Sequence, residues 1–138
     1  MSGFVLDNSV TMRWCFDAGA HAYADQVLDR LETQRGPAYV PVLWRYEVSA
    51  VLARAEVRSL LAASKVSEFW KRLAALDIRV DVESADRILT DVHRLAVLHR
   101  LTSYDAAYLE LALRRSLPLA TLDDELRAAG VAAGVTTL

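Results

Sequence analysis

The sequence has only one cysteine, Cys15, which excludes an internal disulfide and a cysteine-based zinc site. Because Cys15 stands between Trp14 and Phe16, we expect a buried small hydrophobic residue rather than a nucleophile. No run reaches the roughly 18 apolar residues that a membrane span needs, and the first residues lack the basic and apolar segments of a signal peptide. These absences predict a soluble, cytoplasmic protein with no membrane partner.

Lysine is also scarce, with Lys65 and Lys71 standing against fourteen arginines. Arginine makes forked contacts to phosphate that lysine cannot make, but a compositional bias of the source would give the same count. No basic tail or lysine-rich run indicates nucleic-acid binding through bulk charge, because the formal net charge is −2. The excess of arginine is therefore not evidence for a nucleic-acid substrate by itself.

The 138 residues are 54% hydrophobic and 25% charged, as in a globular chain. No repeat, linker or low-complexity segment divides them, so residues 1–138 are expected to form one domain. Ile78–Val82 alternates apolar and charged residues, which predicts a half-exposed edge strand. Further short apolar segments predict four more strands, at Phe4–Leu6, Ala38–Val40, Leu117–Thr121 and Val135–Leu138.

Helical patterns lie between these strands, and Asp17–Gly19 breaks the first of them. Strands that alternate with helices predict an α/β fold, with a mainly parallel sheet of about five strands and helices on both faces. The helical segments are residues 9–16, 22–31, 43–58, 57–76 (after a turn near 59–64), 84–99, 102–115 and 124–129.

Asp7 closes the first strand, where a parallel sheet presents its carboxyl edge and open α/β sheets bind ligands. Asp123 follows the Leu119–Thr121 segment within two residues and repeats this arrangement. Each has a simpler explanation, because Asp7 is a good residue to cap the next helix. Asp123, with Asp124 beside it, would suit the positive end of a helix dipole.

Two further acids occupy positions where a core is expected. Glu47 falls on the apolar face of its helix, so it needs either a buried partner such as Arg54 or a functional role. Asp105 follows Thr102 at capping-box spacing, and the alternative is that it only closes that box. The helix that Asp105 opens is apolar on most sides, however, so its start should lie inside the domain.

The four acids Asp7, Glu47, Asp105 and Asp123 would converge at the carboxyl edge of the sheet. Two like charges 4 Å apart repel by about 4 kcal/mol at an effective dielectric constant of about 20. Several such pairs would approach the whole stability of a domain, which is roughly 5–15 kcal/mol. Protons or a cation must therefore neutralise the cluster, and oxygen-only ligands favour Mg²⁺ or Mn²⁺. Such a site is suited to hydrolysing a phosphodiester.

With these residues in place, the chain resembles the PIN domain, and within it the VapC-type toxins of bacterial toxin–antitoxin pairs. The resemblance spans essentially residues 4–138 in family order and spacing. It rests on four segments, which are residues 5–9 with Trp14, Tyr46-Glu47-Val48, residues 102–109 and residues 119–123.

The resemblance implies a three-layer α/β/α sandwich and Mg²⁺- or Mn²⁺-dependent cleavage of RNA. It implies that Asp7, Glu47, Asp105 and Asp123 hold the metal, directly or through water. Ser9 or Thr121 would then orient a carboxylate or a metal-bound water. The doubled Asp123-Asp124 leaves open which acid faces the metal; we favour Asp123 and assign Asp124 to the surrounding shell.

The resemblance also implies partners, namely an RNA substrate, a VapB-like antitoxin and a second copy of the chain in a homodimer. The alternative is a PIN-fold module that binds RNA or protein without cutting it. Degenerate members of the family typically lose acids, whereas this sequence keeps all four. A dinucleotide-binding domain is disfavoured, because Asp7-Asn8-Ser9 follows the first strand in place of Gly-x-Gly-x-x-Gly.

Overall fold

The computed structural model of the chain describes residues 3–16 and 19–138. The predicted break at Asp17 and Ala18 lies outside these residues. Within them the chain forms four strands, which are β1 (Phe4–Leu6), β2 (Ala38–Pro41), β3 (Ile78–Asp81) and β4 (Leu119–Ala120). The same residues form seven α-helices, which are α1 (Asn8–Phe16), α2 (Ala22–Glu32), α3 (Val42–Val57), α4 (Ala63–Ala74), α5 (His93–His99), α6 (Ser103–Arg115) and α7 (Asp124–Ala133).

All strand pairs are parallel, and the order across the sheet is β3-β2-β1-β4. The predicted edge position of β3 is confirmed. In the central strand β1, consecutive side chains point to opposite faces, yet Phe4, Val5 and Leu6 are all fully buried. Both faces of the sheet are therefore covered, which confirms the predicted α/β/α sandwich. No helix in residues 3–16 and 19–138 is long and apolar enough to cross a bilayer.

The described residues form a sheet of four strands, so the prediction of about five is wrong at the carboxyl end of the chain. α7 continues to Ala133, and the amide of Val135 still bonds to the carbonyl of Gly130 at 2.7 Å. Too few residues remain after Val135 to form a strand that pairs along its length with the sheet. Thr137 makes only an isolated parallel bridge to Leu119.

The continuous helix predicted for residues 84–99 is also wrong. Oδ2 of Asp81 accepts hydrogen bonds from both the amide and the hydroxyl of Ser84, at 2.9 and 2.6 Å. This local side-chain bonding favours a tight turn over an α-helix. The segment therefore starts as a 3₁₀ turn at Glu83–Arg87, passes through a π turn at Ile88–Val92 and becomes α-helical at His93.

Asp81 joins this segment to the last turn of α6. Its side chain is fully buried and is bound by Arg114 at 2.6 Å and by Arg115 at 3.0 Å. Burial opposes the charge of Asp81, but hydrogen bonds from Arg114, Ser84 and Arg115 hold its pKa below the usual range. Arg115 also lies over the ring of Tyr39, 4.5 Å from its centroid. Asp81 thus ties β3 to α6 at the edge of the sheet.

We expect Asp81→Ala to lower the free energy of unfolding by about 3 kcal/mol, because it removes the buried carboxylate that Arg114 and Arg115 share. Asp77→Ala is the matched control, since Asp77 pairs with Arg79 at the surface and should cost less than about 1 kcal/mol. The lowered pKa of Asp81 contributes stability above the pKa of the unfolded residue, and this is lost as pH falls. Urea unfolding measures both variants, and equal costs would refute a structural role for Asp81.

Candidate active site

Four acids meet at the carboxyl edge of the sheet, as predicted. Asp7 follows β1, Glu47 lies on α3, Asp105 lies in the first turn of α6, and Asp123 caps α7 after β4. The charge of Asp123 raises the pKa values of Asp7 and Asp105, and the charges of Asp7 and Asp105 raise the pKa of Glu47. The fold therefore places acids from distant parts of the sequence within electrostatic reach of each other.

Asp7 is buried at the centre of this cluster. The hydroxyls of Ser9 and Thr121 both donate to its Oδ2, each at 2.7 Å. Burial raises the pKa of Asp7, these two hydrogen bonds lower it, and the charge of Asp123 raises it again, so the net shift is upward. Both hydroxyls bind the same oxygen, Oδ2, and a hydrogen bond from the backbone of Asn8 also favours the charged form of Asp7.

Ser9 and Thr121 also fix the loop after β4. The hydroxyl of Ser9 accepts a hydrogen bond from the amide of Leu122 at 2.9 Å, and that of Thr121 accepts one from the amide of Asp123 at 3.0 Å. Each hydroxyl thus joins Asp7 to the segment that bears Asp123. Both candidates for orienting a carboxylate, Ser9 and Thr121, contact Asp7 directly.

Glu47 is bound by a tyrosine rather than by an arginine. The hydroxyl of Tyr108, which is fully buried on α6, donates to Oε1 of Glu47 at 2.5 Å. Burial raises the pKa of Glu47, the bond from Tyr108 lowers it, and the charges of Asp7 and Asp105 raise it, for a net upward shift. In the described residues Glu47 makes no ion pair, so a salt bridge to Arg54 does not account for its position.

Asp105 shows the largest effect of crowding among the acids of the site. Burial raises its pKa from 3.8 to about 6, with the charges of Asp123 and Asp7 adding to the shift. Thr102 caps α6 by accepting the amide of Asp105 at 3.1 Å. Thr102 therefore caps α6 through the backbone amide of Asp105, and its side chain also lowers the pKa of the Asp105 carboxyl.

The two acids after β4, Asp123 and Asp124, lie in different environments. Asp123 caps α7 through Oδ1, which accepts the amide of Leu126 at 2.9 Å, and its charge acts on Asp7 and Asp105. The side chain of Asp124 is 95% exposed and pairs with Arg127 at 3.0 Å. The structure brings Asp123 into the cluster and leaves Asp124 at the surface.

Two residues of the site were not assigned a role from the sequence. Tyr108 follows Asp105 by three positions and so shares a face of α6 with it, a spacing that could have indicated its contact with Glu47. Arg127 donates to the carbonyl of Thr121 at 2.7 Å, and so braces the strand end whose hydroxyl binds Asp7. No signal in the sequence distinguishes Arg127 from the other arginines.

These residues fit a hydrated divalent cation. The cluster offers only oxygen donors, which Mg²⁺ and Mn²⁺ prefer. Across the described parts of the chain, no group of three or more acidic, histidine or cysteine side chains is arranged so that it could by itself hold a metal ion. Mg²⁺ does not need such a cage, because it usually keeps several waters and takes one or two carboxylates directly.

The raised pKa of Asp105 predicts how the metal-free protein responds to pH. Between the ordinary pKa of 3.8 and about 6, the folded protein keeps a proton that the unfolded chain has released. This stabilisation is present below the unfolded pKa and is lost as pH rises through the folded one. It should amount to roughly 1 kcal/mol after solvent screening is allowed for.

Asp105→Asn removes this titration and should flatten the fall in stability between about pH 4 and about pH 6 in EDTA. Asp86→Asn, a change at an exposed acid of the 3₁₀ turn, should leave the wild-type slope unchanged. Thermal unfolding of the three proteins gives the comparison. Parallel profiles for wild type and Asp105→Asn would contradict the crowding of Asp105.

The model of the PIN-domain family matches residues 4–132. Ribonuclease VapC3 of Pyrobaculum aerophilum is 34% identical to the chain over 102 residues, which cover 71% of this chain and 75% of the relative.

Solved structures show the same fold. PAE2754 from Pyrobaculum aerophilum has a TM-score of 0.67 at 23% identity, covering 92% of this chain and 78% of that one. VapBC2 from Rickettsia felis, bound to a DNA fragment from their promoter, has a TM-score of 0.69 at 6% identity, covering 99% and 97%. FitAcB from Neisseria gonorrhoeae has a TM-score of 0.61 at 22% identity, covering 98% and 96%. The family match and the identity to VapC3 together show that the chain belongs to the PIN-domain family and, within it, is of the VapC type.

Proposed function

We propose that the chain is a Mg²⁺- or Mn²⁺-dependent endoribonuclease that hydrolyses phosphodiester bonds of RNA. The observation that carries the proposal is the placement of Asp7, Glu47, Asp105 and Asp123 at one edge of the sheet, where the charge of each of these acids lies within reach of at least one other. RNA is the proposed substrate because the relative that is 34% identical to this chain is a ribonuclease.

In this proposal, Asp7, Glu47, Asp105 and Asp123 hold the cation, directly or through water. A divalent cation held by these carboxylates would activate a water for attack and offset charge on the phosphate oxygens. In-line attack of water on phosphorus would leave a 5′-phosphate and a 3′-hydroxyl.

The remaining polar contacts position these acids. Ser9 and Thr121 fix the rotamer of Asp7 by binding the same oxygen, while Tyr108 fixes Glu47. Since hydroxyl donors favour the charged form of a carboxylate, they also oppose protonation of Asp7 and Glu47 in the crowded site. These contacts therefore keep the carboxylates charged and oriented before a cation binds, which reduces the reorganisation that binding requires.

We further propose that the chain is the toxin of a type II toxin–antitoxin pair, acting in the cytoplasm as a homodimer and inhibited by a VapB-like antitoxin. The VapC type of the chain and the fold it shares with VapBC2 support this role. The alternative is a PIN-fold module that binds RNA or protein without cutting. The presence of all four acids in one coupled cluster favours the enzyme.

We expect purified protein to cut single-stranded RNA with Mg²⁺ or Mn²⁺ and to stop in EDTA. Asp7→Asn and Asp105→Asn should lower the cleavage rate at least about 100-fold, and Ser9→Ala roughly 10-fold, because Ser9 positions Asp7 and the loop after β4 rather than holding the cation. Asp86→Asn is the matched control and should cut like wild type. Sequencing the cleaved ends tests for the 5′-phosphate.

Equal cleavage by wild type and Asp105→Asn would indicate a contaminating nuclease and exclude this site. Binding of RNA without cleavage, at any divalent metal concentration, would instead support the non-catalytic alternative.

A further inference from the structure

A groove runs from the acid cluster along the surface of α1. Its cavity of about 370 Å³ is lined by Ser9, Met12, Arg13, Phe16, Leu122 and Asp123, which we call the α1 groove. Ser9 and Asp123 belong to the candidate active site as well. The α1 groove is therefore continuous with the acids, and its occupant must pass directly beside them.

The orientation of α1 is fixed by its other face. Val10, Thr11 and Trp14 are buried, and the indole nitrogen of Trp14 donates to the carbonyl of Ala24 at 2.8 Å. Thr11 accepts a hydrogen bond from the indole of Trp44 at 3.0 Å. Because these contacts fix the inward face, the residues at helical spacing from Ser9 must face outward, and they are Met12, Arg13 and Phe16.

The exposed part of the α1 groove combines a cation with an aromatic surface. Arg13 is exposed, and Phe16 keeps 44% of its surface open although it is a large apolar residue. Met12 and Leu122 add apolar walls, both partly buried. Proteins that hold single-stranded nucleic acid pair positive groups with the backbone and aromatic rings with the bases.

The α1 groove places a positive charge near the acid cluster. A cluster of carboxylates repels the phosphates of RNA, so a substrate needs a positive group nearby to guide it. Arg13 lies one helical turn from Ser9 on the same face. Phe16 lies roughly 10 Å along the helix axis from Ser9, since each residue advances the helix by about 1.5 Å. Phe16 thus acts on a neighbouring nucleotide rather than on the reacting phosphate.

We propose that the α1 groove is a substrate subsite for single-stranded RNA, holding the nucleotide next to the scissile phosphate. The ring of Phe16 stacks on its base, and the guanidinium of Arg13 binds its phosphate. This inference rests on the proposed ribonuclease function. A single strand is the occupant argued for, because the positive charge of Arg13 matches its phosphate and the ring of Phe16 matches its base.

The first test is the steady-state kinetics of Phe16→Leu on a single-stranded RNA that wild type cuts. Leucine keeps the apolar volume and removes the stacking face, so KM should rise about 10-fold, while kcat changes less than about 2-fold. Phe16→Trp keeps an aromatic stacking face, so its KM should equal the wild-type value or lie below it. Trp70→Ala is the aromatic control, because Trp70 lines a different groove, between α3, α4 and β3.

The second test is the salt dependence of binding to a short oligouridylate in the non-cleaving Asp105→Asn background, with Mg²⁺ present. Adding Arg13→Gln should weaken binding and reduce the slope of log Kd against log salt by about 0.7, the value for one lost phosphate contact on a single strand. Arg72→Gln is the control, since Arg72 lies on α4 and pairs with Glu32.

A raised KM for Phe16→Leu, rescued by Phe16→Trp, together with the smaller salt slope supports the subsite. Wild-type KM in Phe16→Leu and an unchanged slope in Arg13→Gln overturn it, and leave the ribonuclease function standing if wild type still cuts RNA. A wild-type protein that cuts no RNA overturns the proposed function, and the subsite with it. Circular dichroism melts of each variant separate these results from loss of folding.

Discussion

Repulsion between carboxylates at the end of the central strand governs the rest of this structure. Asp7 is buried, yet it shares electrostatic reach with Glu47, Asp105 and Asp123. Loss of hydration and the charges of the neighbouring acids both oppose the ionisation of Asp7. A fold that only needed stability would place an apolar residue at Asp7. The chain keeps an acid there and raises the pKa values of Asp7, Glu47 and Asp105 as a consequence.

The neighbouring contacts make sense as a response to that repulsion. Ser9 and Thr121 supply Asp7 with the hydrogen bonds that water would give, and Tyr108 does the same for Glu47. None of these donors carries a positive charge, so none neutralises the cluster. The contrast with Asp81 is direct, because Arg114 and Arg115 compensate that buried acid fully and it serves packing. Buried acids with arginine partners and buried acids with hydroxyl partners thus have different roles in one domain.

Much of this arrangement could be predicted from the sequence. Apolar strands that alternate with helices were sufficient for the parallel sheet, and the acids after β1 and β4 had to meet because parallel strands end at one edge. Glu47 was identified as a polar residue on an apolar helical face. The sequence favoured Asp123 over Asp124 but left the choice open, because both follow the same strand and only the cap of α7 turns Asp123 inward.

The wrong predictions have physical causes that the spacing of apolar residues does not reveal. The turn at Ser84 depends on a carboxylate three residues earlier, Asp81, whose hydrogen bonds override the helical pattern of the following residues. The last predicted strand was shortened because α7 extended further than its start indicated. Tyr108 was not assigned although its spacing from Asp105 could have indicated its contact with Glu47, and no signal in the sequence distinguishes Arg127 from the other arginines.

The most direct measurement is the melting temperature of the wild-type protein as MgCl₂ is added, compared with NaCl at matched ionic strength. If a divalent cation relieves the repulsion among Asp7, Glu47, Asp105 and Asp123, the melting temperature should rise along a saturable binding curve in MgCl₂, and NaCl should produce only the smaller effect of screening. Coincident curves in the two salts would show that the acids do not hold a cation, and would contradict the role given to the cluster.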